Sequence, residues 1–203
     1  MKIAVIGASG NAGSRIVAEL VRRGHAVTAI VRHPEKLAGQ AGVTAARGDL
    51  FDQPAMARLL AGHDAAISAV HFLASDPAKL VGAVRESGVE RYLVVGGAGS
   101  LEVAPGVPLV TPPGFPVAYK AEAEKGGAFL DLLRQQKGLN WTFLSPSALF
   151  TAGERTGKFR LGTDELLTAA DGKSWISFED FAVALADEIE RPAHVRQRFT
   201  VGY

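Results

Sequence analysis

Lys2-Ile3-Ala4-Val5-Ile6-Gly7-Ala8-Ser9-Gly10-Asn11-Ala12-Gly13-Ser14-Arg15-Ile16-Val17 is the stretch on which the fold turns. The apolar run Ile3 to Ile6 reads as a strand. The chain turns at Gly7 to Gly13 and enters Arg15 to Val21, where apolar residues recur at helical spacing. Gly7, Gly10 and Gly13 spell G-x-x-G-x-x-G, a variant of the dinucleotide fingerprint G-x-G-x-x-G. One glycine permits the tight turn, one lets a pyrophosphate approach the main chain, and one lets the helix pack on the strand. Unpaired N–H groups at the helix start then face the phosphates. Any tight strand-to-helix turn favours glycine, so the flanks carry weight: the motif follows the first strand, with the expected periodicities on both sides.

The chain has 203 residues, enough for one core, and is read as a single domain over 1–203. Apolar residues make up 47% and charged residues 21%, the balance of an ordinary globular protein. A formal net charge of +1 gives no electrostatic footprint for nucleic acid or a membrane surface. The absence of cysteine excludes disulfides, thiol catalysis and thiolate metal sites. His25, His33, His63, His71 and His194 show no ligand spacing, so no metal is expected. No apolar run is long enough to span a bilayer, and no signal-peptide pattern precedes the first strand. The expectation is a cytoplasmic protein, monomeric or homodimeric.

The first helix should end near Arg22-Arg23-Gly24, with basic residues in its last turn and glycine after it. His25 to Arg32 reads as the second strand, and its end separates two cofactors. An NAD site places Asp or Glu about 20 residues beyond the glycines, on the ribose 2′-hydroxyl. Here that place reads Val31-Arg32-His33, with Lys36 one helical turn on. A carboxylate would repel a 2′-phosphate, whereas an arginine pairs with it bidentately. The expectation is NADP(H); NAD(H) is the alternative if Arg32 is a solvated strand-end residue.

Pro34 to Ala38 reads as a short helix and Gly42 to Arg47 as the third strand. In the turn Gly48-Asp49-Leu50-Phe51-Asp52, Asp49 could accept a hydrogen bond from an adenine amino group, with Leu50 against the ring. Asp52 is the better cap for a helix from Gln53 to Leu60. Asp64 to Val70 is the fourth strand, and Ser68, Ala69 and Val70 at its end leave room for a ribose. His71 follows at the mouth, readable as a general acid or a plain loop histidine. Asp76 caps a helix from Pro77 to about Glu86, closed by Gly88. Glu90 to Val95 is the fifth strand and opens into Gly96-Gly97-Ala98-Gly99-Ser100. This strict β-α alternation predicts an α/β, doubly wound, mainly parallel sheet with helices on both faces, a Rossmann-type fold. Ligands of such sheets bind outside the carboxyl ends of the strands. Gly7–Gly13, Arg32, Asp49, Ser68–Val70 and Gly96–Gly97 all fall at such ends.

Residues 101–116 and 147–177 break the rhythm and are expected to be substrate-side loops. Between them lie a helix from Val117 to Gln136 and a sixth strand, Asn140 to Leu144, ending in Ser145-Pro146-Ser147. Phe159–Leu161 and Leu166–Ala169 read as a short strand pair. Ser177-Phe178-Glu179-Asp180 is a capping box opening a helix to Glu190, and Gln197–Tyr203 is a terminal strand.

With these segments in view, the chain resembles the atypical short-chain dehydrogenase/reductases of the NAD(P)H-binding, NmrA-like family. Within it, the chain is most similar to the NADH-flavin reductase subgroup and more distantly similar to biliverdin reductase B. The resemblance rests on Gly7–Gly13, Val31-Arg32, Gly48-Asp49-Leu50, Val94–Ser100, Tyr119–Ala123, Trp141–Pro146, Gly153-Glu154-Arg155-Thr156-Gly157 and Asp171–Ser177. It implies that Gly7, Ser9, Gly10, Asn11, Ala12 and Gly13 hold the pyrophosphate. Arg32, helped by Lys36, would hold the adenosine phosphate, and Asp49 and Leu50 the adenine. Ser68, Ala69 and Val70 would line the ribose, Gly96 and Gly97 the nicotinamide side, and Ser145, Pro146 and Ser147 the carboxamide.

Classical short-chain dehydrogenases use Tyr-x-x-x-Lys and an upstream serine, the tyrosine donating a proton to a carbonyl. Here Tyr119 is followed by Glu122 and Ala123, and the fifth strand ends in glycines instead of serine. Lys120 is adjacent to Tyr119 and, on a helix, points about 100° away from it. Tyr119 and Lys120 remain the candidate catalytic pair, and Arg155 and Lys158 are candidates for an acidic group of the substrate. The expected activity is hydride transfer from NADPH to a flavin, quinone or similar planar acceptor, with the cofactor supplying the chemistry. A non-catalytic NADP(H)-binding sensor is the alternative, and a sugar-nucleotide epimerase or dehydratase a third.

Overall fold

A computed structural model describes residues 1–37 and 39–203. The elements run β1 (Lys2–Ile6), α1 (Asn11–Arg22), β2 (Ala26–Val31), β3 (Val43–Arg47), α2 (Gln53–Leu60), β4 (Ala65–Ser68), α3 (Pro77–Ser87) and β5 (Arg91–Val95). They continue with β6 (Glu102–Ala104), β7 (Val107–Pro108), α4 (Val117–Arg134), β8 (Asn140–Pro146), β9 (Leu149–Thr151), β10 (Arg160–Gly162), β11 (Trp175–Ser177), α5 (Phe178–Glu190) and β12 (Gln197–Gly202). Short helical turns occupy Pro34–Leu37 and Phe72–Ala74. Ala38, the last residue of the expected short helix, lies outside the described residues.

The main sheet has eight strands in the order β10-β12-β8-β5-β4-β1-β2-β3. All neighbours are parallel except β10, which runs antiparallel to β12. From β1 the chain winds outward through β2 and β3. It then returns to the other side of β1 at β4 and winds outward again. The order therefore reverses between β1 and β4, and the crevice outside their carboxyl ends is where such sheets bind ligands. The fold is the Rossmann-type α/β fold that the alternation predicts.

The strands are apolar on both sides because both faces are covered. Ile3 and Val5 join Ile16, Val17 and Leu20 of α1 and Phe181, Leu185 and Ile189 of α5 in one layer. Ala4 and Ile6 join Met56 and Leu60 of α2, Leu80 and Val84 of α3, and Phe129 and Leu133 of α4 in the other. Each large apolar side chain buried this way contributes about 1.5–3 kcal/mol. The expected caps are present: Asp52 accepts from Ala55 N–H, Asp76 from Ala78 and Lys79 N–H, and Ser177 Oγ from Asp180 N–H. Gly88 closes α3 in the left-handed region at φ 75°. Within the capping box the reciprocal bond is missing, because Asp180 turns its carboxylate elsewhere.

The second half departs from expectation in three places. Phe159–Leu161 and Leu166–Ala169 do not pair; Arg160–Gly162 instead adds to the main sheet beside β12. Leu166 N–H donates to Glu102 O and Ala169 N–H to Lys173 O, so the second segment is engaged elsewhere. Residues 101–116 contain the β6–β7 hairpin, and 147–177 contains β9 and β11, a two-stranded parallel ladder. These strands are two or three residues long, too short to show a period. Helix α4 ends at Arg134, short of Gln136. Among the described residues, no helix is long and apolar enough to cross a membrane.

Candidate functional site

The Gly7–Gly13 turn divides its tasks as its chemistry requires. Gly7 has φ 79°, and a side chain there would run into the Ala69 carbonyl at the end of β4. Gly13 is buried on α1, and a Cβ on it would overlap the Gly7 carbonyl, so this glycine sets the helix-to-strand distance. Gly10 is exposed and starts the helix, with its N–H on Gly7 O at 3.0 Å. No side chain caps α1, and its first turn holds no acidic residue. The N–H groups of Asn11, Ala12 and Gly13 therefore lack helical acceptors at the end of the helix that attracts anions. Ser9, Gly10 and Asn11 are exposed and Ala12 half-buried beside them. These residues fit a pyrophosphate.

Arg32 and Lys36 are exposed at the end of β2 and just beyond it. Arg47, which the sequence reading passes over, ends the neighbouring strand opposite Val31 and is also exposed. None of the three has an ion-pair partner among the described residues; His33 pairs with Glu35 at 3.2 Å instead. Three uncommitted cations thus stand at and just beyond the adjacent ends of β2 and β3, and such groups can pair with a phosphate. Asp49 is exposed and spends one oxygen on Phe51 N–H at 2.9 Å, leaving the other open. Leu50 is half-buried against the α2–α3 layer.

Ser68 behaves differently from a ribose-lining serine. It is fully buried, and its hydroxyl accepts from Tyr92 Oη at 3.0 Å. Burial pushes the Tyr92 phenol far above its ordinary range, so it stays a neutral donor. Ala69 and Val70 are half-buried against the Gly7 turn. Gly96 lies against Phe143, while Gly97 has only the Phe72 ring nearby. The Ser145, Pro146 and Ser147 side chains are buried at the end of β8. Ser147 Oγ donates to Val201 O at 3.0 Å, and the Ser145 hydroxyl has no hydrogen-bond partner among the described residues. The segment reaches the binding edge of the sheet, but its side chains turn inward.

Tyr119 and Lys120 sit in the first turn of α4, which is highly exposed: Tyr119 is 67% exposed and Lys120 Nζ lies 4.0 Å from Glu124. The carboxylate that does reach the crevice from α4 is Glu122, which accepts N–H bonds from Phe72 at 2.7 Å and Leu73 at 2.8 Å. Its signal in the sequence is only its place one turn after Tyr119.

Arg155 corrects an expectation. It forms a two-point pair with Glu19 of α1, at 2.8 and 3.0 Å, and does not face the crevice. The whole Gly153–Gly157 segment is tied down in the same way. Gly153 N–H donates to Glu179, Glu154 O accepts from Ser177 Oγ, and Thr156 Oγ and Gly157 N–H donate to Asp180. Glu19 is 4% exposed and also accepts from Arg22 and Arg23. Burial alone would raise its pKa, but bonds from Arg155, Arg22 and Arg23 outweigh burial and hold the carboxyl far below the usual carboxylate range. Burial likewise pushes the Glu179 pKa up, but hydrogen bonds from the Gly153 amide and Arg15 outweigh it and hold that carboxyl below its ordinary value. Lys158 leaves this strap exposed.

With this geometry established, relatives can be placed. Several solved structures align over the whole chain. A Burkholderia pseudomallei protein described as a "putative exported protein" is 46% identical, with TM-score 0.91 over 100% of both chains. A "putative epimerase" from Bacteroides thetaiotaomicron is 38% identical, with TM-score 0.94 over 100% of this chain and 96% of that one. A "putative NADH-flavin reductase" from Streptococcus pneumoniae is 38% identical, with TM-score 0.84 over 100% and 99%. The sequence model of the NAD(P)H-binding family matches residues 7–192, from the first glycine of the turn to the end of α5 and just beyond. With the fingerprint turn, the switch point and the open helix start all inside that span, the chain belongs to the NAD(P)H-binding family.

Proposed function

We propose that the protein is an NADPH-dependent reductase that passes hydride to a flavin, quinone or similar planar acceptor in the cytoplasm. The observation that carries the reading is the arrangement at the β1–β4 switch point. An uncapped helix start lies on one side, the Gly96–Gly97 floor on the other, and the uncommitted cations Arg32, Lys36 and Arg47 at the adenosine end. Bound there, a nicotinamide cofactor supplies the hydride. The residues of this chain hold the phosphates with main-chain N–H groups, set the 2′-phosphate against arginine, and leave a glycine-lined surface open for a flat ring. The likeness to a protein described as an NADH-flavin reductase supports the acceptor class.

The sensor reading draws on the exposure of Tyr119 and on Lys120 facing Glu124, an arrangement that lacks the geometry of a tyrosine–lysine acid. One assay separates the two. Purified protein is mixed with NADPH or NADH and FMN, riboflavin or a naphthoquinone, and cofactor oxidation is followed. Acceptor-dependent oxidation, faster or tighter with NADPH, is the expected result. Tight NADPH binding without oxidation by any acceptor would establish the sensor.

A further inference from the structure

The residues that follow β4 cross the crevice. Val70 lies beside the phosphate turn: a Cβ on Gly7 would come 2.8 Å from its Cγ1. Two residues later Phe72 is buried, stacked on Phe143 with ring centroids 6.4 Å apart, and its edge is the nearest atom to a Cβ on Gly97, at 3.4 Å. His71 is thus held between the pyrophosphate turn and the glycine floor. Its side chain is 88% exposed, so it is open to a bound ligand and to water.

Glu122 of α4 gives this histidine a fixed neighbour. Its carboxylate is pinned by two main-chain donors, Phe72 N–H at 2.7 Å and Leu73 N–H at 2.8 Å. The oxygen that accepts from Phe72 also lies 3.3 Å from His71 Nδ1. A carboxylate held against Nδ1 keeps a proton there and leaves Nε2 as the nitrogen that exchanges its proton. Other charged groups nearby are Glu124 and Lys125, which line the shallow groove beside Leu73, and Asp76, which is engaged in capping α3.

We propose that His71, oriented by Glu122, donates a proton to the oxygen of a carbonyl acceptor as the hydride arrives, so that the site favours quinones and conjugated ketones over flavins. This rests on the reductase reading. Hydride leaves nicotinamide C4 with both electrons of its C–H bond, converting NADPH to NADP⁺ and reducing the acceptor by two electrons. The carbonyl π pair becomes an oxygen lone pair, giving a hydroquinone monoanion or an enolate. That oxygen takes the Nε2 proton of the doubly protonated ring. The ring is left neutral with its proton on Nδ1, against Glu122, and regains a proton at Nε2 from water. Reduced flavin has no oxyanion that needs such a donor at the hydride-accepting atom, so it gains little from the pair.

The test compares 1,4-naphthoquinone with FMN, each with NADPH, in the parent protein, His71→Gln and Glu122→Gln. His71 is exposed, so its replacement leaves the fold intact; the Kd for NADPH checks both variants. His71→Gln should lower kcat for naphthoquinone about 100-fold. The loss with FMN should be at least about tenfold smaller, and the basic limb of the naphthoquinone pH profile should disappear. Glu122→Gln acts through His71. In ¹⁵N spectra of the protein without cofactor, the parent should show the Nδ1–H tautomer and Glu122→Gln a shift toward Nε2–H, a change that a purely structural role would not produce. If His71→Gln reduces naphthoquinone as fast as the parent, or loses both acceptors equally, the assignment is overturned while the reductase reading stands. If the parent binds NADPH and oxidises none with either acceptor, both fall.

Discussion

Gly13 shows how much one missing methyl group can decide. A Cβ there would overlap the Gly7 carbonyl, which belongs to main chain and cannot swing aside. Gly13→Ala should cost about 1–3 kcal/mol, read as a lower urea midpoint, and should weaken NADPH binding because α1 is pushed off the turn. Arg32 works in the opposite way, through charge instead of space. It has no partner among the described residues, so its removal leaves nothing unpaired in the free protein. Arg32→Ala should raise the Kd for NADPH roughly 10- to 100-fold, the worth of a charge-assisted pair, with little change for NADH. Equal losses for both cofactors would count against the NADPH preference. Both positions are legible in the sequence because each follows from a local rule: a spacing of glycines, and a residue type at a strand end. Ser68 and Ser147 are not, since whether a serine hydroxyl meets a ligand or Tyr92 and Val201 depends on what packs across from it.

At the scale of elements, α1, α5 and the Gly153–Gly157 segment form one mechanical unit. Gly153, Arg155, Thr156 and Gly157 are anchored on Glu179, Glu19 and Asp180, and Arg23 ties α1 to Asp187 and Glu190 of α5. Arg155→Ala leaves Glu19 its bonds to Arg22 and Arg23, so the loss should be modest, about 1–2 kcal/mol in urea unfolding. Amide exchange at Thr156 to Lys158 should quicken. The KM ratio of FMN to riboflavin should not change, since Arg155 is spent on Glu19; a rise confined to FMN would return Arg155 to the substrate. The strap is invisible in the sequence because Arg155 and Glu19 lie 136 positions apart. An exposed-looking basic loop has the same composition whether it meets a ligand or a buried carboxylate.

Across the whole molecule, the buried ion pairs couple stability to pH. The folded Glu19 carboxyl titrates far below its unfolded value of about 4.3. Its contribution is therefore complete above that value and is lost as pH falls below it toward the folded one. Glu19→Gln should be less stable than the parent at neutral pH, and the difference in urea midpoint should narrow at about pH 3. A constant gap would mean that Glu19 acts by packing and not by charge. The sequence by itself determined the parallel sheet, the glycine turn between β1 and α1, and three capped helices. These follow from periodicity, glycine spacing and capping chemistry, all acting within a few residues. Only the tertiary structure decided that β10 joins the main sheet, that Arg155 faces α1, that Ser145 and Ser147 turn inward, and that Glu122 reaches across to His71. Each depends on which distant segment arrives opposite, and contacts between residues far apart in the chain leave no local pattern to read.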